Sequence, residues 1–126
     1  MSCILVAAPT ESRRRMVKIL RQAGYVVAEA DSGHSAFKTA RSGSLKLILM
    51  AIVMPDINGL EVAAKLRQHL KSELPPIILL GSITPIGIDE EPLASLVNGY
   101  LDINASSDDV LATVRSHVST SNQQMN

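Results

Sequence analysis

Short apolar runs alternate along this chain with stripes of helical spacing. Cys3 to Ala8 is an unbroken apolar run and reads as a buried strand. Thr10 can cap a helix that carries Met16, Val17, Leu20 and Ala23 on one face, and Gly24 stops it. Tyr25 to Ala30 reads as a second strand. A helix opened by Asp31 or Ser32 follows, with Ala36, Phe37 and Ala40 inward, and Ser42-Gly43-Ser44 breaks it. Leu45 to Ala51 is a third strand, apolar apart from Lys46. Such a strand belongs in the middle of a parallel sheet.

The loop Met54-Pro55-Asp56-Ile57-Asn58-Gly59 leads into a third helix. Asn58 and Glu61 have capping-box spacing, and its stripe is Leu60, Ala63, Leu66 and Leu70. Ile77 to Leu80 is a fourth strand. Gly81 to Gly87 reads as a long loop, and a short fourth helix is expected around Glu90 to Val97, with Pro92 in its first turn. Gly99 to Ile103 is the fifth strand. Ser106 and Asp109 open a fifth helix with Val110, Leu111, Val114 and Val118, and a polar tail covers 119–126. Five strands alternating with five helices predict one α/β domain over residues 1–118 built on a parallel sheet.

Composition narrows the function classes. The 126 residues are 46% apolar, enough for one real core. Twelve Lys and Arg balance twelve Asp and Glu, which argues against a nucleic-acid surface. The local cluster Arg13, Arg14, Arg15, Lys18 and Arg21 reads as a solvated helix face. No apolar run is long enough for a membrane span, and the start lacks the basic region of a secretory signal. The single cysteine, Cys3, lies in an apolar run and reads as a packing residue in a reducing, cytoplasmic compartment. His34, His69 and His117 share no metal-ligand spacing, so no metal is expected from them.

Five segments carry a resemblance. Met54-Pro55-Asp56-Ile57-Asn58-Gly59-Leu60-Glu61-Val62 resembles the M-P-x-M-D-G-L-E-V segment of response-regulator receiver domains. Gly24-Tyr25-Val26-Val27 is similar to the family's second strand. The stretch from Ala30 to Phe37, the stretch from Pro76 to Leu80 and Gly99-Tyr100-Leu101 match further landmarks in order. The resemblance implies a flavodoxin-like (βα)5 doubly wound sheet with strand order 2-1-3-4-5, and a role in two-component phosphorelay signalling.

The same resemblance locates a departure. Receivers carry an acidic pair after strand one, an acceptor aspartate after strand three, a Ser or Thr after strand four and a lysine after strand five. Here those places hold Ala7 and Ala8, Ala51, Gly81 and Ile103. Carboxylates hold a hard cation through oxygen, and one of them attacks phosphorus in line. With all of them gone, the expectation is a pseudo-receiver: no enzyme, no cofactor, no metal and no phosphorylation in the usual way. Its partner would be a protein, whether a histidine kinase, an adjoining output domain or a second copy. The implied contact surface is the fourth helix, fifth strand and fifth helix, where Tyr100 matches the family's switch aromatic. Two alternatives stay open: phosphorylation at a displaced acid such as Glu11, Asp56 or Asp102, or a small-molecule sensor using Thr10 and Ser12.

Overall fold

The computed structural model describes residues 3–71, 74–81 and 97–123. Nine elements follow in chain order: β1 (Cys3–Ala7), α1 (Thr10–Gln22), β2 (Val26–Ala30), α2 (Gly33–Arg41), β3 (Leu47–Ala51), α3 (Gly59–Leu70), β4 (Ile77–Gly81), β5 (Gly99–Asp102) and α4 (Ser107–Gln123). The expected short helix around Glu90 lies outside the described residues, so α4 is the helix anticipated as the fifth. It runs to Gln123, past Val118, where a polar tail was expected to begin.

The strands form one parallel sheet in the order β2-β1-β3-β4-β5. The flavodoxin-like expectation is met. β3 is buried along its whole length because it lies in the centre, paired with β1 on one side and β4 on the other. Side chains alternate across the sheet, and the alternation builds two cores. Leu5, Ala7, Ile48, Met50, Ile77 and Leu79 face α2 and α3. Ile4, Val6, Leu47, Leu49, Ile78 and Leu80 face α1 and α4.

Helix starts follow the predicted caps with one exception. The Ser32 hydroxyl accepts from the Ser35 amide at 3.1 Å, the Asn58 side chain from Glu61 at 2.9 Å, and Ser106 from Asp109 at 3.1 Å. Thr10 does not cap α1. The cap position is Pro9, whose carbonyl accepts from Arg13 at 2.8 Å, and no side chain bonds there. Pro9 places Thr10 inside the first turn, where its hydroxyl is past the amides a cap would serve. At the other end, Gly24 (φ +95) closes α1 in a left-handed conformation. Its amide bonds Arg21 and the Tyr25 amide bonds Leu20, the paired pattern that satisfies the last carbonyls of a helix. Cys3 is half-buried at the start of β1 rather than enclosed.

Candidate functional site

All strands run in one direction, so their carboxyl ends line one edge of the sheet. The register fixes what meets there. Ala7 stands opposite Ala30 and Met50, Ala51 opposite Leu80, and Gly81 opposite Asp102. The ladder runs one step further: the amides of Ala8, Ile52 and Ile103 donate to Ala30, Leu80 and Gly81 at 3.1, 3.0 and 2.8 Å. The structure therefore brings together the five positions singled out in the sequence, Ala7, Ala8, Ala51, Gly81 and Ile103.

The floor they form is apolar. Ala7, Ala8 and Ala51 are all but sealed from solvent and share one core with Met54, Ile52 and Ile103. Ile52 occupies part of the hollow. A Cβ at Gly81 would lie 2.9 Å from the Ile52 Cδ1 atom, so any residue larger than glycine there requires that side chain to move. Outside this floor, Pro9, Thr10, Asp31, Val53, Met54 and Pro55 line an open groove of about 490 Å³. Thr10 reaches the groove and Ser12 is not among the residues that line it.

Two arginines of α1 bracket the crevice. Arg13 donates to the Ala8 carbonyl at 2.9 Å and pairs with Glu29 at 3.1 Å. Arg15 donates to the Ile103 carbonyl at 3.4 Å and also to the carbonyl of Ala105. Arg21 donates to the Val27 carbonyl at 3.2 Å. From sequence this cluster is expected to be a solvated face. Three of its five members instead satisfy strand and loop carbonyls, because the long stem lets a guanidinium reach oxygens that the ladder leaves open.

Two of the acids near the crevice bond backbone amides elsewhere. Both oxygens of Asp56 accept backbone amides at the start of α2, from Gly33 at 2.7 Å and His34 at 2.9 Å, and the His34 ring lies 3.7 Å away. Asp56 thus ties the β3–α3 loop to the positive end of a helix on another element. The His34 and Gly33 amides, in that order, hold its carboxyl far below the ordinary value of 3.8, against the opposing effect of desolvation. The sequence showed a turn residue here; its partner lies 23 positions away and left no local signal. Asp102 accepts from the Asn104 amide at 2.8 Å in a local turn. Glu11 is exposed in the first turn of α1.

A pH dependence follows from Asp56. A carboxyl whose folded pKa is depressed contributes stability that is complete above 3.8 and is lost as pH falls through the folded value. Asp56→Asn is expected to lower the melting temperature at pH 7. Its deficit should shrink steadily from about pH 5 downward. Thermal melts of both proteins across that range check this, and parallel curves would count against the bond's contribution.

The remaining candidates are scattered. His69 donates to the Lys65 carbonyl at 2.9 Å and meets Phe37 edge-on at 5.1 Å, while His117 bonds the Thr113 carbonyl. Tyr100 is 40% exposed on β5. Among the described residues no three His, Cys, Asp or Glu side chains come close enough to share a metal ion, and no helix is long and apolar enough to cross a membrane.

Comparison with known proteins gives a consistent result. The profile of the response regulator receiver domain matches residues 4–115. The chain is 30% identical over 115 residues to the transcriptional regulatory protein CusR of Escherichia coli, covering 91% of this chain and 50% of that protein. It is 29% identical over 100 residues to histidine kinase P4 of Formosa agariphila, covering 79% of this chain and 7% of that protein. The chain thus spans half or less of these curated relatives. Among solved structures it is similar to the chemotaxis protein CheY4 of Vibrio cholerae, with a TM-score of 0.82, 26% identity, and coverage of 93% of this chain and 98% of that one.

Proposed function

The chain belongs to the response regulator receiver domain family, and from that premise we propose that it is a pseudo-receiver, a two-component signalling module that works by protein contact without being phosphorylated. The observation that carries this reading is the composition of the crevice. Ala7, Ala8 and Ala51 occupy the floor with no carboxylate among them, and Ile52 fills the space beside Gly81.

Those residues do not fit a divalent cation. A hard cation such as Mg²⁺ is held by carboxylate and carbonyl oxygens. The side chains here offer none, and the Ala8 carbonyl already accepts from a guanidinium at 2.9 Å. A positive group at that carbonyl opposes a second one by Coulomb repulsion. No nucleophilic oxygen stands on the floor to attack phosphorus. Among the displaced acids Asp56 is a poor substitute, since it spends both oxygens on α2. The loss is also self-consistent. A lysine at position 103 would find no carboxylate to pair with and would be costly to bury, and Ile103 removes that cost.

In this reading the protein has no catalytic activity of its own. Its partner is a histidine kinase, an adjoining output domain or a second copy, and the surface around β5 and α4, with Tyr100 half-exposed on it, is the proposed place of contact. The experiment is direct. The protein is incubated with acetyl phosphate and Mg²⁺, and its intact mass is measured. No added phosphoryl mass is expected, and no thermal shift with Mg²⁺ alone. A phosphoryl adduct mapped to Glu11, Asp56 or Asp102 would replace this reading with the displaced-acid one.

A further inference from the structure

The two edge strands of the sheet, β2 and β5, stand at opposite ends of the order β2-β1-β3-β4-β5. One turn of α1 reaches both. Arg13 pairs with Glu29 of β2 at 3.1 Å. Arg15 goes the other way and donates to the carbonyls of Ile103 and Ala105, just past the end of β5.

The turn that receives Arg15 joins β5 to α4. Its amides are satisfied by β4 or from within. Ile103 donates to the Gly81 carbonyl at 2.8 Å, Asn104 to the Asp102 carboxylate at 2.8 Å and Ala105 to the Asp102 carbonyl at 2.9 Å. Its carbonyls are not. Among the described residues no main-chain amide donates to the carbonyl of Ile103 or of Ala105. Both lie in a part-buried setting, where an acceptor left without a donor is costly. Arginine suits the task, because its planar fork can meet two carbonyls at once while a lysine acts as a point charge.

The body of α4 needs no such support. Val110 and Val114 are sealed in one core with Met16, Val17 and Leu20 of α1. The hold of Arg15 therefore acts on the turn itself and on how α4 leaves β5. It makes no use of the crevice floor, where Ala7, Ala8 and Ala51 present no polar side chain.

We propose that Arg15 is the positioning residue of the β5–α4 junction: it straps the turn to α1, so that the surface formed by β5 and the start of α4 is preset without any group from the crevice. A partner that meets this surface finds it already arranged, and one that moves the turn has to strip a guanidinium from both carbonyls. The inference does not depend on whether the crevice can be phosphorylated.

Amide hydrogen exchange of the whole chain, resolved by nuclear magnetic resonance, tests it. Arg15→Met keeps a long stem and removes the donors. The amides of Ile103, Asn104 and Ala105 should then exchange roughly tenfold faster, the factor expected when hydrogen bonds from a charged donor no longer oppose local opening. The amides of β3 (residues 47–51) should keep their rates. Arg15→Lys should fall between Arg15→Met and the unaltered chain, and Arg14→Met, at the exposed neighbouring position, should match the unaltered chain. The proposal is overturned by an Arg15→Met turn as protected as in the unaltered chain. Faster exchange spread evenly over the turn and β3 overturns it too, since that reports a loss of global stability, as does an Arg15→Lys turn that exchanges as fast as that of Arg15→Met. Should Arg15→Met fail to fold, Arg15→Lys still decides, because a turn no less protected than in the unaltered chain overturns the proposal.

Discussion

Ala51→Asp alone is expected to leave the protein unphosphorylated by acetyl phosphate and Mg²⁺, and to cost it roughly 2–4 kcal/mol of stability at pH 7. The two halves of the result have one cause. Position 51 is 1% exposed and packed in the core that includes Ala7, Ala8 and Met54. A carboxylate placed there finds no metal-holding acids beside it, and the place of the counter-charge is Ile103. Burial without a partner raises the carboxyl's pKa in the folded state, so the variant's deficit should grow as pH rises through the carboxylate range and shrink in acid. Urea denaturation at pH 4 and pH 7 reads the stability, and intact mass reads the chemistry. Ready phosphorylation of this single variant would mean that the crevice retains a working metal site, and the pseudo-receiver reading would fall.

Gly59→Val, at the first residue of α3, should be strongly damaging, with an expected loss of about 3 kcal/mol. The reason is space rather than dihedral freedom. A Cβ at Gly59 would sit 3.1 Å from the Ala51 carbonyl carbon, closer still to its oxygen, and 3.3 Å from the Ile52 Cα. All three obstacles are backbone, so no rotamer change relieves them. The same glycine donates its amide to the Ile52 carbonyl at 2.8 Å, which pins the start of α3 to the end of β3. Moving α3 away to make room would break that bond and open the floor beneath Ala51. Gly24 offers the contrast: a Cβ there meets nothing within 4 Å, and the cost of Gly24→Ala comes only from its positive φ, about 1 kcal/mol. A urea midpoint for Gly59→Val no lower than that of Gly24→Ala would show that the loop can yield.

Membership in the receiver family rests on the match over residues 4–115, whereas the proposed loss of phosphorylation rests on five residues. The two are of different kinds. A fold survives when strand-end residues change, because the cores are built from Leu5, Ile48, Leu49, Ile78 and Leu79, none of which belongs to the crevice. In the proposed reading the chemistry does not survive, since the resemblance puts at each of these positions a charge or a hydroxyl that the reaction uses.

The amino-acid sequence by itself determined the strands, the parallel sheet and which residues stand at the strand ends. These are local properties. A strand apolar on both faces, a Ser or Asn three residues ahead of the amide it accepts from, and a glycine at a helix end act within one or two turns of chain, so Ser32, Asn58, Ser106 and Gly24 could be read directly. The tertiary structure alone decided which distant groups meet. Asp56 binds α2 across 23 positions, and Arg15 reaches the carbonyl of Ile103 across 88. Thr10 lost its expected cap to Pro9, and Arg13 and Arg15, expected in solvent, turned inward. Long charged side chains follow the backbone groups that the sheet leaves unsatisfied, and which groups those are is set by the register of five strands, not by any stretch of chain near the side chain itself.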